Sequence, residues 1–341
     1  MAGVLAVLAA VGVGAWWLLR PGPPAAEPEP SPTPTATPTP TPTVVRAPLT
    51  GLPVTDPAVL GRPAVAIKVS DVRSAHPQVG VDRADIVFVE PIGVSYTRLA
   101  AVFHSDIPDQ VGPVRSVRPM DAALLSPLNP VFGHTMAAEW VLAYVQDVGT
   151  LDSLGTLQVP SGSGAYVIDS DRPAPDHVLA QPPALLGLAT TATAPPPEYF
   201  AYAEDGAGAS AAAGAPATTL SVPYGPDWTV GWTYDPASAR YLREQPWGPH
   251  VTVDGVQVSA TTVLVLEVES EQERDLPVLQ LIDGSGPLWA LSGGSVVRGT
   301  WSKAAVDAPF VLRTESGRPL LLAPGNTWVE MPAPRSGVAV S

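Results

Sequence analysis

Two arginines three residues apart, Arg115 and Arg118, stand in the segment Gly112-Pro113-Val114-Arg115-Ser116-Val117-Arg118-Pro119, and Arg98 lies a short way upstream. A guanidinium presents a planar fork of N–H donors that can hold phosphate, sulfate or carboxylate by two bonds at once. The chain carries 18 Lys and Arg against 32 Asp and Glu, a formal net charge of -14, so this cluster is a local exception that calls for an anionic partner. Arg98, Arg115, Ser116 and Arg118 are the candidate ligand-binding residues. A strand over 99–104, a loop over 107–116 and a helix opened by Pro119 would place Arg115 and Arg118 just ahead of a helix N-terminus, where free N–H groups and the dipole already favour an anion. The competing arrangement is purely structural, with Arg98 paired to Glu90, and Arg115 and Arg118 paired to Asp85 and Asp121.

Acidic residues nearby supply a second possible chemistry. Asp71, Asp85, Glu90, Asp106, Asp109 and Asp121 are candidate general bases or Mg²⁺ ligands beside a bound phosphate. Glu90 and Asp85 are the catalytic candidates among them, because they interrupt an otherwise apolar strand. Other site types fall away. The histidines at 76, 104, 134, 177 and 250 never take His-x-His or His-x-x-x-His spacing, and there is no cysteine, so no local metal motif is expected. No nucleophile elbow, P-loop or dinucleotide fingerprint occurs. No cofactor is expected, with Mg²⁺ entering only if the chain is a phosphoryl transferase. Six tryptophans, at 228, 232, 247, 289, 301 and 328, either stack on sugar rings or, the commoner use, fill a β core.

The elements that must position these residues are legible from periodicity. Runs at 64–69 and 84–92 are dominated by β-branched residues and flanked by turn residues, as buried strands are, and 99–104 is a third candidate; 120–128 and 136–145 carry helix-forming residues. This predicts an α+β or α/β domain over 46–195 with a mixed sheet. An Ala/Gly-rich boundary spans 196–219. A β-rich domain follows over 220–335, with hairpin signals at Asp254-Gly255, Gly293-Gly294 and Ser316-Gly317, and 336–341 form a tail.

Residues 1–20 are uncharged and apolar up to Arg20, with Trp16 and Trp17 near the end, and they predict a transmembrane or signal anchor. Residues 21–45 form a Pro/Thr-rich stalk unable to bury apolar area, and its polyproline II bias gives it a reach of roughly 70 Å. These features predict a single-pass protein of the cell membrane with its globular part outside the cytoplasm. So acidic a chain is not expected to bind nucleic acid.

Several separated motifs, in order, resemble the YerB-like lipoprotein family, described as a domain of unknown function (3048) with a companion C-terminal domain. They are PLTGL at 48–52, RSAHPQVG at 73–80, ADIVFVE at 84–90, Thr97-Arg98, GPVRSVR at 112–118, GTWSK at 299–303 and PGNTW at 324–328. The resemblance implies an extracytoplasmic, membrane-attached protein and brings no established activity. The lipid-accepting cysteine is missing, so the apolar N-terminus would replace it, and Pro175-Asp176-His177 stands where relatives tend to carry Pro-His-Asn. A looser similarity of arrangement, to the LytR-CpsA-Psr wall-glycopolymer transferases, implies polyprenyl pyrophosphate held by arginines with Mg²⁺. The expected function is therefore an envelope protein that binds an anionic wall polymer or polyprenyl phosphate. Alternatives are a Mg²⁺-dependent phosphoryl or glycopolymer transferase and a non-catalytic protein–protein interaction module.

Overall fold

The computed structural model describes residue 22 and residues 44–341, apart from 55 and 94. The anchor expected at 1–20 and nearly all of the stalk lie outside the described residues. Among those described, no helix is long and apolar enough to cross a membrane.

The expected strands and helices of the first half form close to where periodicity puts them. Strands β1 (Val65–Ser70), β2 (Ile86–Pro91) and β3 (Thr97–Phe103) are followed by helix α1 (Met120–Leu125). The short strand β4 (Val131–Gly133), helix α2 (Glu139–Val148) and strand β5 (Asp152–Ser153) come next, and then the short helix α3 (Pro182–Gly187). The second half is almost entirely β: β6 (Thr219–Gly225), β7 (Trp228–Asp235), β8 (Arg240–Gln245), β9 (Thr262–Leu266), β10 (Gly284–Ser292), β11 (Ser295–Lys303), β12 (Val311–Thr314) and β13 (Thr327–Glu330). The β10–β11 hairpin closes on Gly293 and Gly294, with φ of 59° and 77°, a left-handed pair that side chains with a Cβ disfavour.

One mixed eleven-stranded sheet runs through both halves, with ten strands in the order β12-β11-β10-β9-β13-β2-β3-β1-β4-β5 and the eleventh, Ala215–Pro216, pairing with β11 off this path. The join is β13, which pairs in parallel with β9 on one side and with β2 on the other. β1 pairs in parallel with β4, and β3 runs antiparallel between β1 and β2. Hence β1, β2, β4, β5, β9 and β13 all point the same way, and their carboxyl ends share one edge of the molecule. A second sheet, built on β6, β7 and β8, covers one face of the first.

Strand periodicity then divides the core in two. On one face Ala66, Phe88, Ala100, Val102 and Val329 pack beneath α1, with Leu124 and Leu125 buried. On the other, Ile67, Val87, Val89, Leu99 and Trp328 meet Val222, Val230, Trp232 and Tyr241 of the second sheet. Trp232, Trp301 and Trp328 are among the largest fully buried side chains and so serve the core.

Candidate functional site

At the carboxyl-end edge the apolar pattern gives way to charge on both faces. On the helix-covered face, Lys68 of β1, Glu90 of β2 and Asp121 of α1 are all fully buried. Lys68 Nζ donates to Glu90 Oε2 at 2.5 Å and to Asp121 Oδ1 at 2.8 Å. Asp121 Oδ2 accepts the backbone N–H of Arg118 at 2.6 Å. Among the described residues, Glu90 Oε1 has no hydrogen-bond partner. Burial, and then the neighbouring Asp121 charge, push the Glu90 carboxyl up to about 8 despite Lys68, so Glu90 holds its proton at neutral pH. His134, which follows β4, completes the buried group: its Nδ1 donates to Thr135 O, and its Nε2 accepts from Ser153 Oγ. Burial keeps this imidazole neutral.

The three candidate arginines gather over this group. The segment carrying Arg115 is stitched to the end of β1: Ser70 N–H donates to Pro113 O, Arg115 N–H to Lys68 O, and Thr135 N–H to Arg115 O. Gly112 allows a close approach here, since a Cβ would lie 2.8 Å from Leu179 Cδ2 and 3.0 Å from Val178 O. Arg98 stands opposite both Ser70 and Glu90 in the ladders. Its Nη1 donates to Ser116 O at 3.0 Å, and among the described residues it has no carboxylate partner. Arg118 likewise has no ion pair; its Nη1 donates to Val117 O, and its buried Nε is unpartnered. Arg115 alone finds a carboxylate, with Nη2 3.0 Å from Asp176 Oδ1. Burial, followed by repulsion from Arg118 and Arg115, lowers Arg98 to about 9. Burial also lowers Arg118. Ser116 is half-buried, with Oγ 3.5 Å from Thr135 Oγ1.

Several sequence expectations resolve differently. Glu90 takes Lys68 in a fully buried contact, while Arg98, although opposite Glu90 in the ladder, turns its guanidinium to Ser116 O. Asp85 lies at the opposite end of β2, where its Oδ2 accepts the N–H groups of His104 and Ser105; burial raises it to about 6. It is therefore not brought to the arginines. Asp106 pairs with Arg83 on the surface. The N-terminus of α1 is not left open for a ligand, because the Asp121 carboxylate binds to the chain entering it.

On the other face of the same edge lies a network that sequence reasoning missed. Arg243 of β8, fully buried, reaches both oxygens of Asp71, with Nη2 to Oδ2 at 3.1 Å and Nη1 to Oδ1 at 3.3 Å, and stands 3.6 Å from Glu330 of β13. Gln245 Nε2 and Thr97 Oγ1 also donate to Asp71. Despite the cost of burial, the Arg243 charge, followed by the neighbouring His76 and His250, holds the Asp71 carboxyl far below the usual range. Asp71, His76 and His250 offer three donor atoms within 4.8 Å of one another. Their geometry does not suit a metal ion: Arg243 Nη1 donates into His250 Nδ1 at 2.8 Å, while His250 Nε2 donates to Gln78 Oε1, so a guanidinium already holds the position of the cation. The sequence signal was the alternation Tyr241, Arg243, Gln245, all buried, with Leu242 only half-buried.

The comparisons agree with this architecture. The model described as "Protein of unknown function (DUF3048) N-terminal domain" matches residues 49–194, and "Protein of unknown function (DUF3048) C-terminal domain" matches residues 220–329. The chain belongs to the DUF3048 family. It is 40% identical over 90 residues to "Putative lipoprotein YerB" of Bacillus subtilis (strain 168), a match covering 26% of this chain and 27% of that protein. The crystal structure of YerB from Bacillus subtilis resembles it with a TM-score of 0.76 at 22% identity, covering 87% of this chain and 99% of the other. That likeness shows a shared fold. Within the matched range, the strips ADIVFVE and GPVRSVR fall on β2 and on the segment stitched to β1, and their Glu90, Arg115 and Arg118 lie at the charged edge.

Proposed function

We propose that this chain is a membrane-tethered, extracytoplasmic cell-envelope protein that holds an anionic envelope ligand, a wall polymer or polyprenyl phosphate, in the cluster of Arg98, Arg115 and Arg118. The observation that carries the reading is a charge imbalance. Three half-buried guanidinium groups gather at the carboxyl ends of parallel strands, and among the described residues only Arg115 has a carboxylate partner. Buried cations without a counter-charge are costly, and an incoming dianion would relieve that cost by bidentate bonds. Carboxyl ends of parallel strands are also where ligands gather in sheets of this kind. The envelope setting is supported by kinship with a relative named as a lipoprotein and by the apolar stretch at 1–20.

The Mg²⁺-dependent transferase reading fits the residues less well. Lys68 Nζ bridges Glu90 and Asp121, the position a divalent ion would need, and three arginines surround it. The interaction-module reading gains no specific support from this edge.

Calorimetric titration with pyrophosphate tests the proposal. The wild type should bind, and the Arg115→Ala, Arg118→Ala double variant should bind at least tenfold more weakly, since charge-assisted bonds contribute about 1.5–3 kcal/mol each. Equal binding by the two proteins would reject the proposal.

A further inference from the structure

Beside the arginines, three aromatic side chains that the core does not enclose form a run along the same edge. Tyr96, in the β2–β3 turn, is 44% exposed, and its ring centre lies 6.5 Å from that of Trp228 at the start of β7. Trp228 lies 5.4 Å from Trp247, just beyond β8, and both indoles are half-buried. The ring planes meet at 77° and 68°, so each ring touches its neighbour by an edge, and the run is not a closed stack. Trp228 Nε1 is anchored by donation to Thr97 Oγ1 at 3.3 Å, and His76 packs edge-on to Trp247 at 5.0 Å. The exposed Arg73 guanidinium lies 6.0 Å from the centre of the Trp247 ring.

Two chains of contact join this run to the arginine cluster. On one side, Tyr96 leads directly into Thr97, which anchors Trp228, and then into Arg98 at the start of β3. On the other, Arg73 is followed by Ser74, whose Oγ donates to Asp176 Oδ2 at 2.7 Å, and Asp176 pairs with Arg115. We propose that Tyr96, Trp228 and Trp247 form a saccharide subsite continuous with the arginine cluster, so that the ligand is a sugar bearing a phosphate group. This rests on the anion reading above. Rigid, anchored aromatic faces with polar edges stack on the C–H faces of pyranose rings, and two arginines without carboxylate partners match a phosphate dianion better than a single carboxylate.

The test is calorimetry on the full chain with inorganic phosphate, glucose 6-phosphate and geranyl phosphate. Glucose 6-phosphate should bind about tenfold more tightly than inorganic phosphate. Trp247→Ala should bring that ratio close to one, while Trp247→Phe, which keeps a ring, should retain most of it. Glucose 6-phosphate binding no better than phosphate would overturn the saccharide inference and leave the anion reading intact. So would an unchanged ratio in Trp247→Ala, or geranyl phosphate binding at least as tightly as the sugar phosphate. Failure of the wild type to bind any of the three would reject the anion reading itself.

Discussion

Lys68 lies between two carboxylates that share one buried space, and the state of Glu90 sets the charge beneath the arginines. With Glu90 protonated, Lys68 and Asp121 balance and Arg115 faces Asp176, leaving the cationic surplus of Arg98 and Arg118 for a ligand. The folded protein keeps the Glu90 proton where the unfolded chain, titrating near 4.5, has lost it, so this residue's contribution to stability falls as pH rises from about 4.5 to about 8. A Glu90→Gln variant should lack that slope in a plot of Tm against pH; retention of the slope would place its origin elsewhere. Sulfate, whose charge is constant over this range, should bind more weakly above pH 8 as Glu90 ionises, and the Glu90→Gln variant should show little of that loss. Lys68→Met should cost about 3–5 kcal/mol in urea unfolding, since it strands Asp121 without its buried cation.

At the scale of elements, legibility follows how local the cause is. The extents of β1 and β2 came through because each is a compact run rich in β-branched residues, that of β3 because it is a compact apolar run, and Gly293-Gly294 announced its hairpin because few other pairs tolerate left-handed backbone twice in succession. Which face each strand buries was harder to read. In β8 the inward positions are Tyr241, Arg243 and Gln245, and an arginine at a core position reads as a surface residue unless its distant partners, Asp71 and Glu330, are known. The arginine cluster was legible as an anomaly of charge, but the partner of Glu90 was not, because Lys68 comes from another strand. Arg243→Met should therefore destabilise by about 3–5 kcal/mol, by leaving Asp71 and Glu330 unpaired in the interior; a change below about 1 kcal/mol in urea unfolding would contradict the role given to this network.

For the whole molecule, the decisive contact is the insertion of β13 between β2 and β9. A parallel pairing between strands so far apart in sequence leaves no periodic trace in either one, so the sequence shows two segments of different texture, while the structure shows one sheet running through both. The two family segments should accordingly unfold together, with tryptophan fluorescence and far-ultraviolet dichroism tracing one transition in urea. A fragment ending at residue 219 leaves β2 with an unpaired edge and a bare core face, and it should show no cooperative unfolding. Such continuity also fixes the charged edge as a rigid frame, with Arg98, Arg115 and Arg118 on one face and the Asp71–Arg243 network on the other. The most direct test of that frame as an anion site is a crystal of the protein soaked with tungstate, located by its anomalous scattering. The account predicts one tungstate within hydrogen-bond distance of the Arg98, Arg115 and Arg118 guanidinium groups. Arginines paired with carboxylates, with no tungstate among them at saturating concentration, would contradict it.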